Sequence, residues 1–577
     1  WGINFVLFCP GAIAGGALGW FIIRPVNWVL AKVFRGFNWL FDRITNGYGK
    51  TVGWMLRLSA IVLLIYVGLI GLTGFGFTRV PAGFIPSQDK GRLLANIQLP
   101  DSASLERTTE VAERVEKIAL ETPGVAHTLA NPGRSFVLNA IGSNLGSMFM
   151  TLRPFDERRD PSLSAEAIAS QLRQRFQREV PEARMNVFGA PAVEGLGNAG
   201  GFKLMVEATG EVNLNALQGQ TDNLATKGNQ QPDLVGLFDG FRASTPQLYV
   251  DVDRTKAKSM NVPLADVFNT LQVYMGGLYV NDFNRFGRTW QVNVQADAAF
   301  RSDAEIVKQL KVRNADGDMV PLGAVVDIHD SAGPVQITRY NMFPAATLAG
   351  ASRPGVSTGD VLATMESLAN KELPRNMTYE WTELSYLQKQ SSKIESFRDL
   401  QQNPFSAFVL GVVLVFFVLA GLYESWSLPL AVILVVPMCL SSALAGVALA
   451  GMDVNIFVQV GFVVLVGLAA KNAILIVEFA RDRQHEGASL FDAAVEAARV
   501  RLRPIIMTSF AFILGVLPLV IAHGAGAEMR RTLGTAVFAG MLGVTLFGIF
   551  LTPVFFYVVR RITGSQTASA TSVAVHN

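Results

Sequence analysis

The chain has 577 residues, of which 50% are hydrophobic and only 16% are charged, and its formal net charge is +3 at pH 7. Soluble domains carry about 25% charged residues, so the deficit predicts membrane segments, and the small net charge gives no reason to expect nucleic-acid binding. Cys9 and Cys439 lie in apolar runs and the five histidines are scattered, which argues against disulfide, metal or cysteine chemistry. The chain begins at Trp1 instead of methionine, from which we expect a fragment.

Seven apolar runs are long enough to cross about 30 Å of hydrocarbon, which takes about 20 helical residues. They occupy residues 3–23, 52–72, 405–422, 428–450, 456–479, 504–522 and 532–558. Ordinary charge-bearing sequence fills the long interval between the second run and the third. The pattern predicts one membrane helix, a large insert and five closely spaced helices, with an additional hydrophobic segment in front.

Basic residues form three clusters between or after these runs. The clusters are Arg24, Lys32, Arg35, Arg43 and Lys50; Arg481, Arg483, Arg499, Arg501 and Arg503; and Arg560 and Arg561. When the crossings are counted, all three clusters fall on one side of the membrane and the insert falls on the other. The positive-inside rule therefore predicts that the clusters are cytoplasmic and that the insert is exported.

The segment 24–50 mixes aromatic and basic residues at helical spacing. This predicts an amphipathic helix on the cytoplasmic face of the membrane, with a simple connecting loop as the alternative. In the first run, Gly11, Gly15 and Gly19 would allow close helix packing. The same run contains Pro10, so it can equally be the remnant of a truncated span.

The insert alternates strand-like and helix-like segments. The predicted strands are 92–99, 125–130, 148–152, 202–207, 234–238 and 346–348, and the predicted helices are 105–120, 165–178, 214–227 and 358–368. Such strand–helix–strand units with antiparallel returns are typical of split βαβ subdomains. A separate piece, 247–328, has strands at 248–253 and 290–295 and helices at 264–274 and 304–310. The Ser/Thr/Ala-rich tail is predicted to be disordered.

Lys471 lies well inside an apolar run, with Asn472 beside it. An ammonium group in hydrocarbon costs about 2.5–3.5 kcal/mol on insertion scales. Snorkelling to the cytoplasmic end would require a reach of roughly 12 Å at helical rise, which exceeds the length of the side chain. Lys471 is therefore predicted to face a bundle interior and to need an acidic partner, which no other predicted span of this chain supplies.

The next apolar run begins with RLRPIIMTSFAF. Arg501 and Arg503 suit cytoplasmic anchoring, Pro504 suits a helix start, and Pro518 predicts a kink. Thr508 can bond to the carbonyl four residues earlier in its own helix or relay to Lys471 across the helix interface. The sequence leaves both roles open.

Two stretches of the insert are predicted to be loops. Residues 189–201 are glycine-rich without the ending of a phosphate-binding loop, which favours a mobile segment. Residues 130–146 are predicted to join two strands, and they contain an aromatic, several aliphatic residues and an arginine. Such a loop either lines an apolar pocket or packs on the surface.

Taken together, these features resemble the resistance-nodulation-division (RND) transporters of the hydrophobe/amphiphile efflux branch, over residues 37–562. The stretches that carry the resemblance are LYESWSLPLAVILVVP (422–437), AKNAILIVEFARD (470–482), RLRPIIMTSFAFILGVLPLVI (501–521), GGLYVNDFNRFGR (276–288) and TPVFFYVVRR (552–561). The resemblance implies the C-terminal half of such a transporter, namely a helical membrane bundle of helices seven to twelve with an α+β periplasmic insert. The insert would comprise split βαβ porter subdomains and a docking subdomain.

The resemblance also implies roles for individual residues. Lys471, Asn472, Arg501 and Thr508 match a proton relay, in which the lysine neutralises two aspartates of a helix in the other half. In the substrate pocket, Phe136 and Phe149 match phenylalanines on and near a flexible loop, while Leu129 and Arg134 stand where the family has two more. Glu194 matches an acid on the glycine-rich loop. No cofactor and no metal are expected.

The implied organisation divides the chain into eight parts. They are a hydrophobic segment (1–23), a cytoplasmic-face helix (24–50), a transmembrane helix (51–75), porter subdomains (76–246), a docking subdomain (247–330), a porter return segment (331–403), a five-helix bundle (404–562) and a tail (563–577). The expected assembly is a homotrimer in the inner membrane of a Gram-negative-type bacterium, with a periplasmic adaptor, an outer-membrane channel, amphiphilic substrates and the lipid bilayer as partners.

Alternatives from other classes fit the sequence less well. Heavy-metal efflux would need a methionine cluster for soft cations, and Met148, Met150, Met185 and Met205 form no evident triad. A proton-coupled accessory of protein export would lack a piece such as 247–328. A receptor would not need Lys471, and no nucleophile–base pair points to an enzyme. The predicted function is proton-driven export of drugs, dyes and detergents.

Overall fold

The computed structural model describes residues 2–211, 213–392 and 404–564. The predicted disordered tail falls almost entirely outside the described residues. The chain opens with two helices, α1 (Gly2–Arg57) and α2 (Ser59–Arg79), which meet at Leu58. The helix α1 is continuous across residues 24 and 51, the predicted boundaries, and Pro25 lies within it. The apolar helix α2 accordingly starts at Ser59 instead of residue 52.

The first α/β unit follows α2. Its elements are β1 (Arg92–Gln98), α3 (Leu105–Leu120), β2 (Val125–Ser135), β3 (Ala140–Leu152), α4 (Ala165–Glu179) and β4 (Arg184–Gly189). The strands form one antiparallel sheet in the order β2-β3-β1-β4. One face of the sheet packs on α3 and α4, because Leu93, Ala95 and Ile97 alternate along β1 toward these helices. The opposite face is left for the second unit.

The prediction of a loop over residues 130–146 is wrong for most of its length. The strands β2 and β3 continue through most of it, so the connection between them is residues 136–139. Pro132 and Gly133 suggest a strand end in the sequence, yet here they lie at a register shift between Pro132 and Arg134. Gly133 has φ +87°, a conformation that glycine adopts without strain. Pro132 remains paired with Gly146, and the irregularity at Gly133 allows β2 to continue.

The second α/β unit begins with β5 (Phe202–Ala208), α5 (Leu214–Asn229) and β6 (Leu234–Asp239). The chain then forms a middle piece. Its elements are β7 (Thr245–Val252), α6 (Arg254–Ser259), α7 (Leu264–Leu271), β8 (Leu278–Arg285), β9 (Arg288–Val294), α8 (Ala304–Gln309), β10 (Lys311–Arg313), β11 (Met319–Pro321) and β12 (Val326–Gly333). A small apolar core around Val267, Val312 and Leu322 holds this piece together. The hairpin β8–β9 is exposed at every residue.

The second unit is completed after the middle piece. Its remaining elements are β13 (Thr338–Tyr340), β14 (Phe343–Ser352), α9 (Thr358–Glu372), β15 (Met377–Trp381) and α10 (Glu383–Ser392). The sheet order is β13-β14-β5-β15, with β6 paired to β14. Leu94 and Phe188 of the first unit pack against Phe238 and Ala349 of the second. The two units therefore share an apolar interface on the face of the first sheet that α3 and α4 leave free.

The remaining elements are helical. They are α11 (Pro404–Tyr423), α12 (Ser427–Ile433), α13 (Val436–Leu449), α14 (Ile456–His485), α15 (Leu490–Val520) and α16 (Ala527–Ile562). Within the described residues, five helical segments are long and apolar enough to cross a membrane: α2, Ser427–Leu449, α14, α15 and α16, while Phe408–Tyr423 is a shorter apolar helix. Pro518 lies inside α15, and Pro504, the predicted helix start, lies inside it as well. The helix begins earlier because Ser489 caps it, accepting a hydrogen bond from Asp492 N at 3.1 Å.

A short junction joins the helices to the second α/β unit. The segment after α2 pairs with the connection before α14, where Val454 N donates to Pro81 O at 2.9 Å and Gly83 N donates to Val454 O at 3.1 Å. On its other side, Phe84 N donates to Oγ1 of Thr358, at the start of α9, over 3.1 Å. The junction therefore touches α14 and α9 through one stretch of backbone.

Candidate functional site

The helices α14 and α15 are antiparallel neighbours that bring the predicted relay residues together. The connection between them is residues 486–489, in which Gly487 has φ +97°. The amide of Asn472 lies opposite Ser509, and Nδ2 donates to Oγ at 3.1 Å. Both residues are buried, with 4% and 1% of their surface exposed. Because a buried polar group without a partner is costly, this bond fixes the register of the two helices.

Lys471 lies beside this bond but points out of the helical bundle. Its side chain is exposed, and its ammonium lies 5.1 Å from the centre of the Phe512 ring. It forms no salt bridge with any carboxylate of the residues that the structure describes. The predicted acidic partner is thus not supplied by the described part of this chain.

Thr508 and Arg501 lie on the same helix, and in the described structure neither forms a hydrogen bond with Lys471. The hydroxyl of Thr508 donates to Ile505 O at 3.1 Å, so it forms an intrahelical bond, three residues back instead of four. The guanidinium of Arg501 lies 4.9 Å from the centre of the Phe479 ring. Its Nε is buried and has no hydrogen-bond partner in the described structure. Arg501 therefore keeps donor capacity for a group that is not among these residues.

The exposed ammonium of Lys471 is able to pair with an acidic group. An ammonium on a membrane helix carries a cost of about 2.5–3.5 kcal/mol, which a carboxylate docking from outside would offset. Protonation of such a carboxylate would break the ion pair, so the lysine can respond to proton uptake by a neighbour. The bond between Asn472 and Ser509 holds the lysine-bearing turn in place.

In the insert, four of the five predicted substrate residues form one cluster on the first sheet. Leu129 is the register partner of Phe149 across β2 and β3. The rings of Phe136 and Phe149 lie edge to face with centroids 5.1 Å apart, and the guanidinium of Arg134 lies 4.6 Å from the centre of the Phe136 ring. Leu129 is 61% exposed and Phe149 is 38% exposed. The cluster therefore offers apolar and aromatic surface beside a positive charge.

Glu194 is placed apart from this cluster, in an exposed ion pair with Arg92 at the start of β1. The glycine-rich stretch nevertheless reaches the aromatic cluster through another residue. The amide of Asn198 donates to Phe136 O at 2.8 Å. Asn198, and not Glu194, links the two predicted loops.

A cavity of about 300 Å³ lies where the first and second units meet the start of α16, and its lining includes the glycine-rich stretch and Glu528. Its wall combines apolar residues with charged pairs, including Lys203 and Glu383 at 2.7 Å and Arg173 and Glu166 at 3.0 Å. The volume lies at the lower end of the range for small-molecule pockets. A mostly apolar site with a few fixed charges suits an amphiphilic ligand.

Asp89 is one of the charged residues that line this cavity. It forms a salt bridge of 2.9 Å with Arg158, whose side chain is 1% exposed. Burial alone would raise the pKa of the Asp89 carboxyl, but hydrogen bonds from Arg158 and from the backbone N–H groups of Ala165 and Gly91 outweigh it and lower the pKa. Asp89 therefore stays ionised at neutral pH as a structural counter-ion.

The sequence interpretation missed three residues of these sites: Ser509, Phe512 and Asn198. Ser509 follows Thr508 directly in an otherwise apolar stretch, and this was the available signal. No such sequence signal marks Phe512 or Asn198, because their contacts join residues that are distant in the chain. Among the described residues, no group of three or more His, Cys, Asp or Glu side chains could hold a metal ion.

Fold and site together define an α-helical membrane protein with a large mixed α/β insert and, on one of its helices, a lysine that pairs with no carboxylate of the described residues. Comparison with known families gives the more specific assignment. The model of the AcrB/AcrD/AcrF family matches residues 21–560, and the chain belongs to this family of RND transporters.

Individual relatives agree with the family assignment. The chain is 39% identical over 537 residues to the multidrug/solvent efflux pump membrane transporter MepB of Pseudomonas putida. It is 39% identical over 532 residues to the multidrug export protein AcrF of Escherichia coli K12, and 38% identical over 534 residues to the multidrug resistance protein MdtF of Escherichia coli O157:H7. Each alignment covers 92% of this chain and 50% of the relative. The chain thus spans about half the length of these relatives.

Proposed function

We propose that this chain provides helices seven to twelve and the second exported loop of a transporter that uses a proton gradient to export hydrophobic or amphiphilic compounds. The observation that carries the proposal is Lys471. It is a cation on a membrane helix, and its described surroundings supply a phenylalanine ring but no carboxylate. Retaining such a residue is costly unless an acidic partner pairs with it.

The proposed engine, meaning the device that couples proton movement to transport, is an ion pair. It breaks when its carboxylate binds a proton and forms again when the proton leaves. A carboxylate from the half of the transporter that this chain does not span would pair with Lys471, and Arg501 would supply a second donor. Proton uptake neutralises the carboxylate and releases the lysine. Each proton that crosses contributes about 2.3 kcal/mol per 100 mV of membrane potential, plus about 1.4 kcal/mol per pH unit. One or two protons therefore suffice to concentrate a substrate severalfold.

The proposed substrate surface is the cluster of Leu129, Arg134, Phe136 and Phe149. Aromatic rings accept hydrophobic compounds of varied shape, and their faces also attract cations. The half-exposed Phe149 is available for such contacts without unfolding of the sheet. Glu194 would act outside this cluster, through its ion pair with Arg92.

The proposed architecture follows the family. Residues 76–246 and the return segment 331–403 together form the two α/β units, which would be the split βαβ porter subdomains. The middle piece (247–330) would be the docking subdomain. The insert would lie in the periplasm of a Gram-negative-type bacterium, with the basic clusters on the cytoplasmic side of the inner membrane. A two-stranded hairpin that is exposed at every residue is marginally stable by itself. This supports burial of β8–β9 in a homotrimer, which would dock to an adaptor and an outer-membrane channel.

The test is reconstitution of the complete transporter into liposomes loaded with a fluorescent cationic dye. An imposed proton gradient should drive dye movement, and a protonophore should stop it. Dye movement that continues at the same rate after the gradient has collapsed would overturn the proposal. Liposomes without protein provide the background rate of leakage.

A further inference from the structure

Arg242 lies three residues after the end of strand β6 of the second unit and joins two carboxylates at once. Its Nη1 lies 3.1 Å from Oδ2 of Asp239, in its own unit. Its Nε lies 3.3 Å from Oδ1 of Asp101, in the turn between β1 and α3 of the first unit. The side chain of Arg242 is 14% exposed. One guanidinium therefore bridges the two α/β units.

Both ends of this bridge are firmly held. The Asp239 side chain is 1% exposed, so its position is set by the surrounding protein. Asp101 accepts a bond from Nδ2 of Asn144 at 3.4 Å, and the same nitrogen donates to Leu99 O at 3.1 Å. The planar guanidinium suits this geometry because it donates in several fixed directions.

The segment that Arg242 holds packs against the connection that carries Phe136. Gly240 lies so close to Leu138 that a Cβ built on the glycine would overlap Cδ1 of that leucine. Leu138 belongs to residues 136–139, between β2 and β3. The turn 239–242, which contains Arg242, therefore lies directly against the connection next to the aromatic cluster.

We propose that Arg242 is a positioning residue that clamps the second unit to the first through Asp101 and thereby fixes the connection 136–139 with its aromatic side chain. Opening the clamp releases the turn 239–242 from Leu138, so that Phe136 gains freedom to move. The inference rests on the proposed function in one respect, because it takes the aromatic cluster as the substrate surface.

The decisive variant is Asp101→Asn, because it removes the bridge and leaves the buried pair of Arg242 and Asp239 intact. Hydrogen–deuterium exchange of the complete transporter should become about 2- to 5-fold faster at residues 136–139, the range expected for loss of a partly exposed ion pair. Asp101→Glu restores the charge and should restore most of the protection. Asp156→Asn is the matched control, because it removes an exposed ion pair with Arg159 at 3.6 Å within the first unit alone.

A second measurement separates the clamp from transport. The Kd of a fluorescent cationic dye should rise about 2- to 5-fold in Asp101→Asn, with the unfolding temperature unchanged within error. Unchanged exchange at 136–139, or an equal change in Asp156→Asn, would overturn the clamp. If the transporter moves no dye at all but exchange responds as described, the clamp stands and the proposed function fails.

Discussion

Replacing Lys471 by methionine tests the proposed engine, because the structure predicts a small effect on folding and a large effect on transport. The ammonium contributes one contact in the described structure, with the Phe512 ring at 5.1 Å. An exposed contact of this kind is worth about 0.5–1 kcal/mol, and methionine keeps most of the apolar volume. By contrast, Asn472→Leu would leave the buried Ser509 hydroxyl without its partner, at a cost of about 1–3 kcal/mol.

The assay is efflux of a fluorescent dye from energised cells, with the amount and assembly of the transporter measured on the same samples. Lys471→Met should abolish proton-dependent efflux at normal protein level. Arg503→Gln is the matched control, because it removes a positive charge from α15 where the guanidinium contacts Asn38 at 3.4 Å, and it should retain efflux. Efflux retained in Lys471→Met would remove the lysine from the mechanism. Loss of folded protein would instead refute the small folding cost.

Three further predictions concern the insert. Phe149→Ala should change the relative efflux of several dyes while turnover continues, and equal loss of all substrates would show a structural role. Asp89→Asn leaves the buried Arg158 without its carboxylate and should lower the free energy of unfolding by about 3–5 kcal/mol, measured by urea titration; a change below about 1 kcal/mol would contradict the buried pair. Burial raises the pKa of Asp239 to about 7, so its stabilising contribution is complete below the ordinary pKa near 4 and is lost as pH rises toward 7. The stability of the wild type relative to Asp239→Asn should therefore fall between pH 4 and 7, and a flat difference would argue against the raised pKa.

Much of the insert could be predicted from the sequence, because the periodicity of its apolar residues is regular. The helix Leu105–Leu120 has the predicted bounds, and β1 ends one residue earlier than predicted. The hairpin β2–β3 could not be predicted, since β2 continues past the proline and glycine that mark a strand end in the sequence, with a register shift in its pairing to β3. Local signals indicate where a chain can turn, but pairing with β3 decides where it does.

The candidate sites were predictable to different degrees. Lys471 is evident because a charge interrupts an apolar run. The pairing of Asn472 with Ser509 depends on the register of two helices, which the sequence does not encode locally. The bridge from Arg242 to Asp101 joins residues 141 positions apart, and neither lies in a recognisable motif. Contacts of this kind become visible only when the sheets are in place.

The junction at residues 81–84 has a mechanical consequence for the whole molecule. Its backbone is hydrogen-bonded both to the residue that precedes the cap of α14 and to the first turn of α9. A Cβ on Gly359 would overlap Ala82 O, so the junction is packed tightly against α9. A displacement of α14 along its axis must therefore either break these bonds or move α9 with it, which makes the junction a stiff linkage between the helices and the second α/β unit.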